Sequence, residues 1–257
     1  DYMLPYFKNY IDKTNSFVIN SDCPAVVNLV EKHYPHYRER LLPFISPAIA
    51  HARLIKKGFK QIRNKNVKVV FIGPCIAKID EAENTDIDAV ITFKDLKEWF
   101  EEKEILNRQK SNKTTGTKLE KIDYSIPDYS GETGFINNIK SDKKAVSISG
   151  FKSCKAFFSN IPYSLDNIGI VEMMICEGGC INGPMISSDL PLIKRIDAIN
   201  SNNRRDTPPL FDYNTILINT ERFFTDKSIY TLLPTESEIN LLMKKIGKYS
   251  KDDELNC

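Results

Sequence analysis

Six cysteines stand in this 257-residue chain, and four of them have neighbours suited to metal–sulfur chemistry. The richest stretch is Val171–Pro184, V-E-M-M-I-C-E-G-G-C-I-N-G-P, where Cys176 and Cys180 enclose Gly178 and Gly179. Glycine reaches positive φ without a Cβ clash and lets backbone amides approach the sulfurs of a cluster. Two thiols cannot complete a four-thiolate set, and a buried pair beside a tight turn is an equally plain reading. Cys23, in S-D-C-P-A-V, and Cys75, in I-G-P-C-I-A-K-I-D-E, supply two more. Pro24 follows the first and Pro74 precedes the second, stiffening each loop and removing an amide that would need a partner.

Strands must deliver these loops. Phe17–Asn20, Val67–Ile72 and Ile168–Ile175 read as strands, and Cys23, Cys75 and Cys176 follow them by one to three residues. In open α/β sheets ligands bind beyond the carboxyl ends of the strands, so four thiols from three loops can converge. Four Cys ligands are what a 4Fe–4S cluster requires. Structural zinc is the competing occupant, but zinc ribbons present two close pairs, whereas here two lone cysteines join one C-x3-C. Lys78, three residues after Cys75, is either a solvated charge or a cationic donor that offsets thiolate charge. Cys154 reads as a buried structural thiol, and His33, His36 and His51 as non-catalytic.

Helices alternate with the strands. Asp1–Asp12 places Leu4, Phe7 and Ile11 on one face, and a helix is expected from about Ala25 to before Tyr34-Pro35. Ser46-Pro47 starts another, Ala48–Lys57, with Gly58 as its stop. Val67–Ile72 reads as a strand buried on both faces. Ala89–Phe93 is a further strand, leading into an acidic helix through Leu96, Trp99 and Phe100. Asn107–Lys121 is a polar connector or surface insertion. Ser130–Gly134 is a turn before a helix, Ala145–Ser149 a strand, and Lys152–Ser159 a helix. A helix near Leu190–Ile199, a strand at Thr215–Ile218 and a helix capped by Thr235, with Ile239, Leu242, Met243 and Ile246 on one face, complete the series. Such alternation predicts an α/β fold of mostly parallel sheets flanked by helices.

Hydrophobic content of 41%, charged content of 27% and a net charge of +2 are those of a globular protein, with no pull toward nucleic acid or a membrane surface. No apolar run has transmembrane length and no signal peptide is visible, so a cytoplasmic location with reduced or metal-bound thiols is expected. Starting on Asp1 and stopping on Cys257, the chain is expected to be a segment of a longer polypeptide.

The three cysteine loops resemble the three signature stretches of the iron-only (FeFe) hydrogenase large-subunit catalytic domain. Ser21–Val26 resembles T-S-C-C-P-x-W, Ile72–Glu81 resembles M-P-C-x-A-K-K-x-E, and Glu172–Gly183 resembles E-V-M-A-C-P-G-G-C-x-x-G-G. The likeness runs from about Phe17 to Pro184 and includes G-E-T-G-F-I (131–136) and A-V-S-I-S-G-F-K (145–152). It implies a single catalytic domain in two lobes, about 16–106 with the C-terminal part and 122–200, holding an iron–sulfur site in the cleft. It further implies a 4Fe–4S cluster on Cys23, Cys75, Cys176 and Cys180, with Cys180 bridging to a two-iron subcluster that bears CO, CN⁻ and a dithiolate. Lys78 would hydrogen-bond a cyanide and Met174 would pack beside the two irons. The implied reaction is reversible oxidation of H2 to protons and electrons. Implied partners are a ferredoxin-like or further iron–sulfur domain and the hydrogenase maturation proteins.

Two departures stand out. Where the family has the first of two adjacent cysteines, a proton relay, this chain has Asp22, and the methionine before the second Pro-Cys is Gly73. The family's acidic proton-path residues have no match in Asp1–Asp12. These point to a divergent branch of low turnover or H2-sensing role. The alternative is a Narf-like, non-catalytic cluster-carrying protein.

Overall fold

A computed structural model describes residues 2–103, 131–160, 165, 167–202, 212–229 and 235–249. The polar connector expected at Asn107–Lys121 lies outside them. Asp1–Lys227 forms one compact unit and Ser228–Cys257 a second.

A parallel sheet of order β1-β5-β4 organises the first unit, built from β1 (Val18–Ile19), β4 (Ala145–Ser149) and β5 (Ile170–Met174). Val18 pairs with Ile170, and Ala145 pairs with Ile170 from the other side. Every residue of β5 is buried, as expected for a central parallel strand with both faces covered. Side chains alternate across such a strand. Ile170 joins a cluster with Phe7 and Ile11 of α1 (Leu4–Lys13), Ile49 of α3 (Pro47–Arg63), and Phe135 and Ile139 of α6 (Gly134–Ile139). Val171 and Met173 join the opposite cluster, with Val26, Val27 and Val30 of α2 (Pro24–His33) and Phe157 and Phe158 of α7 (Phe151–Asn160). Helices thus cover both faces.

A second parallel sheet pairs β2 (Val70–Gly73) with β3 (Ala89–Thr92), followed by α4 (Ala77–Ala82) and α5 (Phe93–Glu102) respectively. The expectation of a strand buried on both faces fails here. Val69 and Phe71 pack on the first core cluster, but Val70 and Ile72 are 47% and 44% exposed. Among the described residues β2 has one neighbouring strand, and its outer face is only partly covered. β1 sits with β4 and β5 rather than with β2.

Two other expectations change. Gly58 does not end α3; it is buried within it, and Asn64, at φ 48°, takes the left-handed capping position six residues later. Thr215–Ile218 is not a strand. Its backbone is met by side chains instead: Tyr2 Oη donates to the Ile216 carbonyl at 3.1 Å, Ile218 N donates to Tyr2 Oη at 3.3 Å, and Lys57 donates to the Leu217 carbonyl.

α8 (Leu192–Asn202) precedes that segment in the first unit, and the second unit follows from Ser228. There, Thr235 caps α9 (Glu236–Lys245): its hydroxyl accepts from Glu238 N while the Glu238 carboxylate accepts from Thr235 N at 2.7 Å. No helix among the described residues is long and apolar enough to cross a membrane.

Candidate metal–sulfur site

Each expected cysteine stands past the carboxyl end of its strand. Cys23 follows β1 and is the N-cap of α2, Cys75 lies two residues beyond β2, and Cys176 two beyond β5. Cys180 opens a short helical turn, Cys180–Asn182. All four are partly buried free thiols.

The third loop has the geometry its glycines suggested. Gly178 and Gly179 adopt φ of 78° and 87°, and a Cβ on Gly178 would stand 2.6 Å from a Leu192 methyl. Gly178 N donates to Ser149 Oγ at 3.2 Å and Gly179 N to the Cys176 carbonyl at 3.0 Å. Arg195 of α8 clamps the far end, donating to Asn182 Oδ1 at 2.9 Å and to the Leu190 and Ser188 carbonyls. Gly183 then allows the third loop to meet the second. A Cβ there would lie 2.6 Å from the Pro74 carbonyl oxygen, which accepts from Met185 N at 3.1 Å.

The thiols feel one another. Burial first, then the charges of Cys23 and Cys75, push Cys176 up to about 11 and Cys180 up to about 12; Lys78 pulls Cys180 partly back. Burial raises Cys23 too, opposed by backbone hydrogen bonds and by Lys78. Thiolates gathered in this way repel one another until a cationic centre offsets the charge, which is the condition under which thiolates ligate metal. Among the described residues no group of three or more His, Cys, Asp or Glu side chains is arranged to hold a single metal ion. Ligands of one tetrahedral zinc, each about 2.3 Å from the metal, must stand closer together than thiolates on separate irons of a cluster.

Lys78 projects from α4 toward Cys23's loop, with its side chain 12% exposed. Its Nζ donates to the Asp22 carbonyl oxygen at 3.2 Å and to Glu81 Oε2 at 2.5 Å. Both carboxylate oxygens of Asp22 are sealed from solvent without a hydrogen-bond partner. Asn20 lies near enough to weigh on Asp22 but closes no bond with it; its Oδ1 accepts from Met173 N at 2.6 Å. Burial pushes Asp22 up to about 7, against the pull of Lys78. Met174 is 5% exposed and belongs to neither apolar cluster. Cys154 is fully buried, its thiol donating to the Met174 carbonyl at 3.5 Å and pushed up to about 12 by burial.

Two acidic residues escaped the sequence reading. Glu172, inside β5 and 1% exposed, accepts from Phe135 N and Ile136 N at 3.3 and 3.1 Å, tying the start of α6 to the strand. Glu81 bridges Lys78 and Arg222, whose Nη1 reaches Glu81 Oε1 at 3.3 Å. A charged residue inside an otherwise apolar strand was the available signal for the first; nothing local signalled the second.

A profile of the family described as iron only hydrogenase large subunit, C-terminal domain, matches residues 5–140 and 106–184. Iron hydrogenase 1 of Clostridium pasteurianum is 25% identical over 221 residues, covering 65% of this chain and 37% of that relative. The chain thus spans little more than a third of the length of that curated relative. Among solved structures, an [FeFe]-hydrogenase in which stepwise H-cluster assembly was revealed superposes with a TM-score of 0.58 at 16% identity. An apo [FeFe]-hydrogenase variant from Chlamydomonas reinhardtii gives 0.59 at 16% identity; each match covers 88% of this chain and 80% of the other. These likenesses bear on the fold: α/β, with parallel sheets flanked by helices.

Proposed function

Because this chain belongs to the family of the iron-only hydrogenase large subunit, C-terminal domain, we propose that Cys23, Cys75, Cys176 and Cys180 hold a 4Fe–4S cluster. Cys180 would also help hold a two-iron subcluster carrying CO, CN⁻ and a dithiolate. What supports this reading is that the four thiols stand past three strand ends, with Cys23, Cys176 and Cys180 each feeling the charge of Cys75. When bound, the group would take up electrons from H2 or return them to protons, giving reversible H2 oxidation, here at low turnover or as an H2 sensor.

The chain's own residues hold and surround it. Gly178 and Gly179, both at positive φ, let the loop turn tightly between Cys176 and Cys180. Lys78 uses two of its three donors on Asp22 and Glu81, leaving the third for a cyanide. Met174, which is buried, would line the site for the two irons. Asp22, whose oxygens are sealed and unpartnered, holds a proton next to the site. The domain is read as two lobes about this site, working with H2, protons, a ferredoxin-like or further iron–sulfur domain, and the maturation proteins. A Narf-like cluster carrier without the two irons is the second reading, favoured by Asp22 where the family has a relay cysteine.

Infrared spectroscopy of protein made with the maturation machinery tests this. Metal-bound CO and CN⁻ stretches are expected. Brown 4Fe–4S absorbance without those bands selects the cluster carrier, and absence of iron rejects both readings.

A further inference from the structure

Resting on the cluster reading, we infer that Arg222 is a positioning residue for the metal–sulfur site: through Glu81 it keeps net positive charge on the Lys78 side of the four thiols.

Glu81 is the centre of the argument. Its side chain is 1% exposed, yet it carries a carboxylate between two cations, Lys78 at 2.5 Å on one oxygen and Arg222 at 3.3 Å on the other. A buried carboxylate needs such partners, because losing one leaves an uncompensated charge in a poorly solvated place. With Lys78 alone, Glu81 would cancel the ammonium that Cys23 and Cys180 feel. With Arg222 present, the trio has two positive charges against one negative.

Arg222 is 141 residues from Glu81 in sequence, and a strap of extended chain brings it there. Ile45 N donates to the Thr220 carbonyl at 2.9 Å, and Arg222 N to the Pro43 carbonyl at 3.0 Å. Beyond it, Thr225 N and Lys227 Nζ both donate to the buried carboxylate of Glu31, at 2.8 and 2.6 Å. The guanidinium rests over the Phe224 ring, 5.1 Å from its centre. Backbone pairs on one side and Glu31 on the other therefore fix the strap at Arg222. Arg222 also lines a cavity of about 430 Å³ together with Asp80, Glu81 and Lys32.

The test is the midpoint potential of the reconstituted 4Fe–4S cluster in wild type, Arg222→Gln, Arg222→Lys, Glu81→Gln and the Arg222→Gln/Glu81→Gln double variant. Loss of positive charge in Arg222→Gln should lower the reduced-to-oxidised ratio at fixed potential about three- to ten-fold, roughly 30–60 mV more negative for a one-electron couple. Glu81→Gln should move it the opposite way. The double variant, which leaves no buried carboxylate unpaired, should fall near wild type, and Arg222→Lys should recover most of the shift. Shifts of one sign in both single variants, or none, overturn the assignment of Arg222 while the cluster reading stands. A wild type that takes up no iron overturns the cluster reading itself. Urea unfolding of the apoproteins completes the cycle: Arg222 and Glu81 should be coupled without any iron, and strict additivity would show that the pair does not form.

Discussion

β5 is buried at every position and leads to Cys176 and Cys180, whereas β2, which leads to Cys75 and Lys78, shows Val70 and Ile72 to solvent. Among the described residues the first strand lies between two neighbours and two helical layers; the second has one neighbour and an outer face only partly covered. Cys23, Cys176 and Cys180 are therefore placed by the main core. Cys75 and Lys78 are held to them by a close loop crossing at Gly183 and by the charges around Glu81. A site assembled in this way gains its precision from the core on one side and from polar contacts and ligand on the other. Metal binding is linked to folding, so a bound cluster would stabilise the second side most.

Four variants break or sharpen that contrast. Met173, fully buried in β5, should cost about 2–5 kcal/mol on replacement by Ala through lost contacts and a cavity. Urea unfolding measures it, and a loss below about 1 kcal/mol would remove the claim that this sheet is the rigid one. Next comes Gly183→Ala, where the added methyl meets the Pro74 carbonyl. Overpacking of that kind costs about 1–3 kcal/mol. Iron retention after reconstitution should fall with it, and unchanged iron and unfolding would mean that the two loops do not need their close approach.

Glu172 gives a pH signature confined to the buried sheet. Burial raises its carboxyl above the ordinary 4.5, in spite of the two amides it accepts from. A raised folded-state pKa contributes stability that is fully present below the unfolded pKa and is lost as pH rises through the folded one. Stability of wild type relative to Glu172→Gln should therefore decline from about pH 4.5 upward, until the raised value has been passed. A difference that stays flat across that window would mean that the amide hydrogen bonds offset the whole cost of burial. The smallest effect belongs to the outer face of β2: Ile72→Thr, at a position 44% exposed, should change unfolding by about 0.5 kcal/mol or less. A cost above about 2 kcal/mol would show that this face is covered in solution.

Local chemistry was enough to read the strand ends that carry Cys23, Cys75 and Cys176, the left-handed pair Gly178-Gly179, and the N-cap at Thr235. In each case the deciding interactions lie within a few residues: apolar runs, a missing Cβ, a hydroxyl reaching its own helix. Sequence also held the family likeness, because the motifs keep their order and internal spacing. Tertiary structure alone decided that β1 pairs with β5 and that Thr215–Ile218 satisfies its backbone with Tyr2 and Lys57 rather than a ladder. It decided too that Glu172 and Glu81 are buried, and that Arg222 reaches Glu81 across 141 residues. These contacts join groups that no local propensity relates, since burial and charge pairing depend on which surfaces the packed core leaves facing one another.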